Sequence, residues 1–537
     1  MRTSSEAHQF LRQRVASNSL MGVVRFVVVS CVYLIIYPVL LKSLGPFRFG
    51  VWAILCVPSQ YAAIGDMGFS TALSKRIAEA PPNQSSERIR EVTSAGTAIF
   101  VLVGSLLELF VVVCRHSILQ WIHVGPDLVP EADFLLLGMV AVIAIILMGN
   151  AYMSVLSGLQ RMAWMHAIQL AGAVLNAGCI VAALKLSGTL TSLMLCNVIS
   201  STFVWLTAMV LAKRAARIRF SLFPRLRWPV MKSLLRFSAY IGIAGVATML
   251  MEPALKILLA RLDRIESVSY FELASRIVTQ SRSLFQFAML PLLPAASFLA
   301  DDLPRIQRLY TRSIRVLFAL AVPLYLGFVF MSGPIVRIWL GPRAGPVPVG
   351  VAILSVGWLF NVLTLPDFLM IQGMNRPQYA MICAVLQGIL CVAGAWALIP
   401  GTGYLGAFAS EALGLTVASA YIRARFLRLS ATPMAEALSN SPQRLIVLLA
   451  LFSACLWCEL VLTRQFSPTV WIPLYFASVF IFWAMLYRRL TTGFNIIDLF
   501  RSVLPGRSFP FERAAPPTAP KAVREPETSK VRTSEAS

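Results

Sequence analysis

Charged residues are scarce in this sequence: Asp, Glu, Lys and Arg make up 13% of its 537 positions, against about 25% in a water-soluble globular chain. Depletion on that scale excludes a protein solvated by water along most of its length. Acids are the scarcer sign, 24 against 47 Lys and Arg. Histidine is rarer still, and His8, His116, His123 and His166 are scattered, with no metal-ligand spacing among them. There is no Walker A loop, no G-x-S-x-G elbow and no dinucleotide fingerprint, so nothing points to ATP hydrolysis or to a bound cofactor. The nine cysteines all fall in apolar segments and read as small buried hydrophobes, not as a disulfide framework. Cys455-Leu-Trp-Cys458 has redox-pair spacing without thioredoxin-like surroundings, and reads as two cysteines on one membrane helix.

What fills the chain is apolar length. Phe134 to Gln160 runs 27 residues without an Asp, Glu, Lys or Arg, Leu186 to Ala212 another 27, and Gln465 to Tyr487 23. At ~1.5 Å per helical residue, ~20 apolar residues cross a hydrocarbon core of ~30 Å. Each run is therefore long enough to span a bilayer. Apolar runs between charged or Pro/Gly-rich breaks predict an all-α membrane protein of about fourteen transmembrane helices. They lie at 20–41, 49–66, 92–114, 134–158, 164–184, 189–212, 237–260, 267–299, 316–336, 347–372, 378–399, 404–422, 445–462 and 467–487. The uncharged stretch Pro377 to Ser410 is divided at Pro400-Gly-Thr-Gly403, where consecutive helix breakers favour a turn. Phe26 to Leu41 has no small-residue cleavage site after it and reads as part of the first span, not as a signal peptide.

An even number of spans puts both termini on one side. On that side fall 34 of the 47 Lys and Arg, with 9 in the opposite loops and 4 inside spans. Lys and Arg concentrate on the cytoplasmic face of inserted proteins, so both termini are expected in the cytoplasm. The expected layout is a cytoplasmic N-terminus (1–19), an N-lobe of six spans (20–212) and a basic inter-lobe loop (213–236). A C-lobe of six spans (237–422), a cytoplasmic loop (423–444), two further spans (445–487) and a Pro-rich, partly disordered cytoplasmic tail (488–537) follow. The net charge of +23 then reflects insertion and contact with anionic membrane lipids, and does not call for a nucleic acid partner.

Two stretches recur at nearly constant separation. Gly158-Leu-Gln-Arg161 opens the fifth span and Gly373-Met-Asn-Arg376 the eleventh, 215 residues on, each followed by an aromatic residue, Trp164 or Tyr379. The segment from Leu44 to Trp52 leads into the second span, and that from Leu262 to Tyr270 into the eighth, 218 residues on. Two six-helix lobes follow, related by an axis along the membrane normal, plus two C-terminal helices. The segment Leu44-Gly45 to Phe49-Gly50-Val-Trp52, followed by Ile64, Gly65, Asp66, Gly68, Ser70 and Ala72, resembles the amino-terminal signature of Wzx-type polysaccharide-repeat flippases. These belong to the multidrug/oligosaccharidyl-lipid/polysaccharide (MOP) exporter superfamily, whose fold is MATE-like. The Gly-x-x-Arg turns and the segments Ser269 to Ala274 and Leu290 to Pro294 fit the same pattern, and the resemblance covers roughly residues 18–430. It implies a carrier, not an enzyme, that moves an undecaprenyl-diphosphate-linked oligosaccharide repeat across a bacterial inner membrane by alternating access. A polysaccharide polymerase and export machinery are the further partners it implies. Lipid II flippases of the same superfamily also have fourteen spans, so span number does not separate the two substrates.

Ionisable groups at membrane depth cost at least ~2.5–3.5 kcal/mol and usually face a cavity or a partner. The basic ones are Arg25, Lys256, Arg276 and Arg282; the acidic ones include Glu108, Glu252, Glu272, Asp367, Glu411 and Glu459. Guanidinium groups bind phosphate oxygens in planar, bidentate fashion, so Arg25, Arg276 and Arg282 are the candidate substrate residues. Arg276 has Glu272 one turn away, whereas Arg25 and Arg282 have no acid nearby in sequence. Lys256 stands four residues after Glu252 and is placed to snorkel to the outer interface. Glu252, Lys256, Glu272, Asp367 and Glu411 are candidates either for coupling to a bound ion or for internal ion pairs. A cation-coupled drug exporter of the same superfamily is disfavoured by unpaired Arg, which would repel a cationic substrate. A membrane-embedded glycosyltransferase is disfavoured because the longest outer loop, Arg115 to Asp133, is too short for a folded catalytic domain.

Overall fold

The structure is a computed structural model that describes residues 4–56, 69–78, 85–122, 128–159, 161–186, 188–216, 251–289, 292–299, 302–431, 452–457 and 468–490. Among these residues all regular structure is helical. The first half contains α1 (Ser4–Leu55), α2 (Phe69–Ala78), α3 (Ser85–Ile122), α4 (Val129–Gly158), α5 (Met162–Leu186) and α6 (Leu190–Ala216). The second contains α7 (Met251–Leu262), α8 (Ile265–Met289), α9 (Leu292–Phe298), α10 (Leu303–Leu340), α11 (Val347–Leu363), α12 (Leu365–Gly373), α13 (Pro377–Thr402) and α14 (Tyr404–Ser430). One more long helix, α15 (Pro468–Leu490), follows. Nine of the described stretches are long and apolar enough to cross a membrane. The chain is an all-α membrane protein. The seventh and thirteenth expected spans, the inter-lobe loop and the tail lie wholly or largely outside the described residues, as do Asp66, Glu459 and Cys458.

Helix ends explain most departures from the expected boundaries. α1 runs through the expected loop at 42–48 and changes direction at Gly45, whose φ of 75° suits a residue without Cβ. Pro46 restarts the helix where a missing N–H costs nothing. α10 is 38 residues long, ~57 Å at 1.5 Å per residue, well past a ~30 Å core. The excess carries Arg305, Arg308, Arg312 and Arg315, and Asp302 caps its start by accepting from the Arg305 N–H at 3.1 Å. The twelfth span was expected to end at 422, but α14 continues to Ser430 and keeps Arg423 inside the helix. α13 carries Pro400 within its last turn and stops at Gly403, φ 59°.

The repeat is visible in which helices pack. In the first half α3 packs on α4, α4 on α6, α5 on α6 and α1 on α5; in the second α10 packs on α11, α11 on α14, α13 on α14 and α7 on α13. The Gly-x-x-Arg turns match bond for bond. Arg161 N–H donates to the Leu156 carbonyl at 2.8 Å, and Arg376 N–H to the Ile371 carbonyl at 3.1 Å. The glycine is there for space: a methyl at Gly158 would stand 2.8 Å from Ile77 Cβ of α2, and one at Gly373 2.6 Å from Ala296 Cβ of α9.

Cores are shared unevenly. One apolar cluster runs through both lobes at the Gly45 end, from Tyr37, Leu40 and Phe49 through Leu135 and Leu193 to Leu255, Phe271, Leu340 and Phe408. At the other end each lobe has its own: Phe69, Phe100, Val155 and Ala208 in the first, Tyr310, Met370, Ile422 and Phe426 in the second. The apolar core is thus shared between the lobes at one end and divided at the other. α15 docks on α10 at a proline. Pro323 has no N–H, which frees the Ala319 carbonyl; the Trp483 indole donates to that oxygen at 2.8 Å, and the Tyr475 hydroxyl to the Pro323 carbonyl at 3.0 Å.

Candidate functional site

The helices that carry the candidate residues are α1 and α8, which run antiparallel along the seam between the lobes. Tyr37 meets Glu272, Ser30 donates to Gln280 at 3.1 Å, and the rings of Phe26 and Phe287 lie 4.9 Å apart. This register puts Arg25 and Arg282 about one helical turn apart in depth, ~5 Å, one from each lobe.

Both arginines are held by amide oxygens. Arg282 Nε donates to Asn361 Oδ1 at 3.0 Å and Nη1 to Gln286 Oε1 at 2.7 Å, with the guanidinium 5.3 Å over the Trp358 ring. Arg25 Nη1 donates to Gln169 Oε1 at 2.6 Å, while its buried Nε has no hydrogen-bond partner. Neither forms an ion pair among the described residues. An amide oxygen satisfies a donor but brings no net charge, so both guanidiniums keep their positive charge uncompensated.

Arg276 is held differently. Its Nη2 lies 2.6 Å from Glu272 Oε1 and donates to the Tyr37 hydroxyl at 2.5 Å, and Tyr37 in turn donates to the same carboxylate oxygen at 2.6 Å. The other oxygen of Glu272 lies 2.5 Å from Lys256 Nζ, which is also 2.8 Å from Glu252. Two cations and two acids balance. Of the three arginines expected at the substrate, the structure therefore sets Arg276 apart. Lys256 does not snorkel: its side chain is 0% exposed and its ammonium pairs with the buried Glu272 and the partly exposed Glu252. Its expected i,i+4 pairing with Glu252 is present.

Asp367 has a partner that lies 56 residues away. Arg423 Nε donates to both carboxylate oxygens at 3.0 Å and Nη2 lies 2.8 Å from Oδ2. Arg423 falls in the expected loop because the expected span stops at 422, eight residues before the helix ends. Glu411 is 3% exposed and makes no ion pair among the described residues; it lies beside the Trp358 indole, whose ring face carries Arg282. Glu108 is half-buried on α3. Gln169, Gln286 and Asn361 were missed, although amides inside apolar helices were a signal available in the sequence.

The sequence matches the family of polysaccharide biosynthesis proteins over residues 39–343. The chain belongs to that family. No curated protein matches it. Among solved structures the polysaccharide biosynthesis chain is similar to the lipid II flippase MurJ in an inward closed conformation, at 14% identity and a TM-score of 0.69, covering 88% of this chain and 98% of that one. It is also similar to an inward-facing multidrug resistance MATE family transporter of the MOP superfamily, at 15% identity and a TM-score of 0.60, covering 77% and 96%. A third is a MOP superfamily transporter from Pyrococcus furiosus described by the reverse polarity of its binding pocket, at 16% identity and a TM-score of 0.55, covering 78% and 97%. At these identities the likeness is one of fold, the fold shared by MurJ and the MATE transporters.

Proposed function

We propose that this chain carries an undecaprenyl-diphosphate-linked oligosaccharide repeat across the bacterial inner membrane by alternating access of its two lobes. The observation that carries this reading is the pair Arg25 and Arg282, one from each lobe, held by amides and left with net positive charge. A diphosphate headgroup supplies the missing anion, and guanidinium is the cation suited to its oxygens. Arg276 serves chiefly to hold Glu272. Glu411, an acid without an ion-pair partner among the described residues, is the position we assign to ion coupling, and Glu252, Lys256, Glu272 and Asp367 are internal pairs. The protein works without a cofactor, beside a polysaccharide polymerase and export machinery, with both termini in the cytoplasm. Lipid II transport is the second reading, supported by the fold shared with MurJ; it uses the same diphosphate chemistry and differs in the sugar.

The test is export in cells and uptake in vesicles. Arg25→Glu and Arg282→Glu should abolish polysaccharide export while inserted protein stays at normal abundance, and the Lys variants should keep only part of it, having charge without the bidentate fork. Full export in Arg282→Ala would remove that residue from the site. Reconstituted protein should translocate a polyprenyl-diphosphate oligosaccharide faster than lipid II; the reverse order would favour the second reading.

A further inference from the structure

Three hydrogen bonds from the second lobe end on main-chain carbonyls of α1, all within Leu34 to Pro46. The Trp339 indole, near the end of α10, donates to the Leu34 carbonyl at 2.5 Å. Arg343, in the short 3-10 turn Gly341–Ala344, donates to the Lys42 carbonyl, and the Ser269 hydroxyl of α8 to the Pro46 carbonyl. The first two acceptors both lie where α1 leaves a carbonyl open. In a helix the carbonyl of residue i takes the N–H of residue i+4, and proline has none. Pro38 therefore frees Leu34, while Lys42 lies in the last turn before the break at Gly45, where the carbonyls have no partner within the helix. The open carbonyls are the ones that the other lobe grips. The Tyr37 hydroxyl adds a side-chain tie to Glu272 in the same stretch. This is also the end at which the two lobes share one core, and where a Cβ on Gly50 would collide with the Ile265 carbonyl of α8.

We propose that the free carbonyls of Leu34 and Lys42 are one half of a latch, with Trp339 and Arg343 the other half, which holds the two lobes together at this end and releases them by exchange with water. The proposal rests on the alternating-access reading. A carbonyl bonded inside its own helix is unavailable to a neighbouring lobe. One left open needs an outside donor in every state, since an unpaired main-chain group within a membrane costs several kcal/mol in hydrocarbon. While the lobes are together, Trp339 and Arg343 supply that donor. When they part, the opening admits water, which supplies it instead. The same carbonyls are thus satisfied in both states, and the two states stay close in free energy, as a transporter requires. Lys42 and Arg343 are already exposed at this end, so water has a short path to the first bond it replaces.

The latch is tested by measuring the opening directly, with spin labels on two exposed residues that take no part in it, Ser43→Cys in the first lobe and Pro342→Cys in the second. The labelled but otherwise unaltered protein should show mainly the short distance between these positions. Trp339→Phe keeps the ring and loses the donor, and should raise the ratio of long to short distances about fivefold, the effect of one net hydrogen bond. Pro38→Ala is the sharper variant. It returns an N–H to the Leu34 carbonyl from within α1, so Trp339 becomes redundant, and it should open the same end although it makes the helix itself more regular. It favours helix and is expected to fold where a bulkier change would not. Unchanged distances in both variants, or a shorter one in Pro38→Ala, would overturn the latch. Because the distances are read without substrate, the two proposals fail separately. Altered distances in a protein that moves no lipid-linked sugar would remove the transport reading and leave the latch.

Discussion

Asp367→Ala is expected to be among the most damaging single substitutions available to this chain, and the size of the effect follows from geometry. Asp367 is 0% exposed and Arg423 13%. Their contact uses both carboxylate oxygens, at 2.8 to 3.0 Å, and the Arg423 fork also reaches the Leu363 carbonyl at the end of α11. One guanidinium thus joins α11, α12 and α14. Removing the carboxylate leaves a buried cation with no counter-charge, which costs about 3–5 kcal/mol. In a chain of this size that is a fall in Tm of roughly 3–4 °C, read by tryptophan fluorescence on detergent-purified protein. The paired replacement Asp367→Leu with Arg423→Met removes both charges and should recover most of the loss, because apolar groups of similar volume substitute well for a buried pair. Transport by this double variant decides what the pair is for. A structural pair predicts transport near the unaltered level. A double variant that folds with the usual Tm but transports nothing would return Asp367 to ion coupling, and a single Asp367→Ala with an unchanged Tm would refute the energetic reasoning itself.

The Lys256 cluster makes a graded forecast: Lys256→Met should cost about 3 kcal/mol or more, since it unbalances a carboxylate that is 3% exposed, whereas Glu252→Gln should stay within about 1 kcal/mol because Glu252 is 39% exposed. Equal losses in thermal unfolding would mean that the two contacts with Lys256 are equivalent. Gly158→Val and Gly373→Val should each cost about 1–3 kcal/mol through overpacking against α2 and α9, and by similar amounts if the lobes are true repeats. A loss in one alone would show that the two turns are not equivalent.

Much of this architecture was legible because a membrane leaves a coarse signature. Runs of 27 uncharged residues admit few readings, and the Gly-x-x-Arg turns marked the repeat because both lobes must pass a glycine against the helix below. The sites were less legible, for a reason of distance along the chain. Tyr37 and Glu272 are 235 residues apart, Arg282 and Asn361 79, Arg423 and Asp367 56. No local pattern announces such partners. Glu252 and Lys256, four apart on one helix, were found for the opposite reason. Arg423 was hidden by its surroundings as well, since a basic residue near the end of a span looks like a topology signal whichever way its side chain turns.

The partners matter more than the positions, because they sort the cations by what each can still do. Lys256, Arg276 and Arg423 spend their charge on carboxylates of this chain. Arg25 and Arg282 are given oxygens of Gln169, Gln286 and Asn361 instead. A carboxylate in those places would lower the cost of keeping a guanidinium at membrane depth, which is at least ~2.5–3.5 kcal/mol, and α1 and α8 have neighbours enough to supply one, as Glu272 shows. An amide holds the side chain in one orientation but leaves the field of the ion intact. Orientation kept and charge left over are the two properties that binding an anion in a low-dielectric cavity needs. Positions that bear this standing cost in both lobes, about one turn apart along one seam, are what the proposed transport reading expects of residues that meet an anion from outside the chain. On the transport reading proposed above that anion is a diphosphate, whose oxygens suit the guanidinium fork.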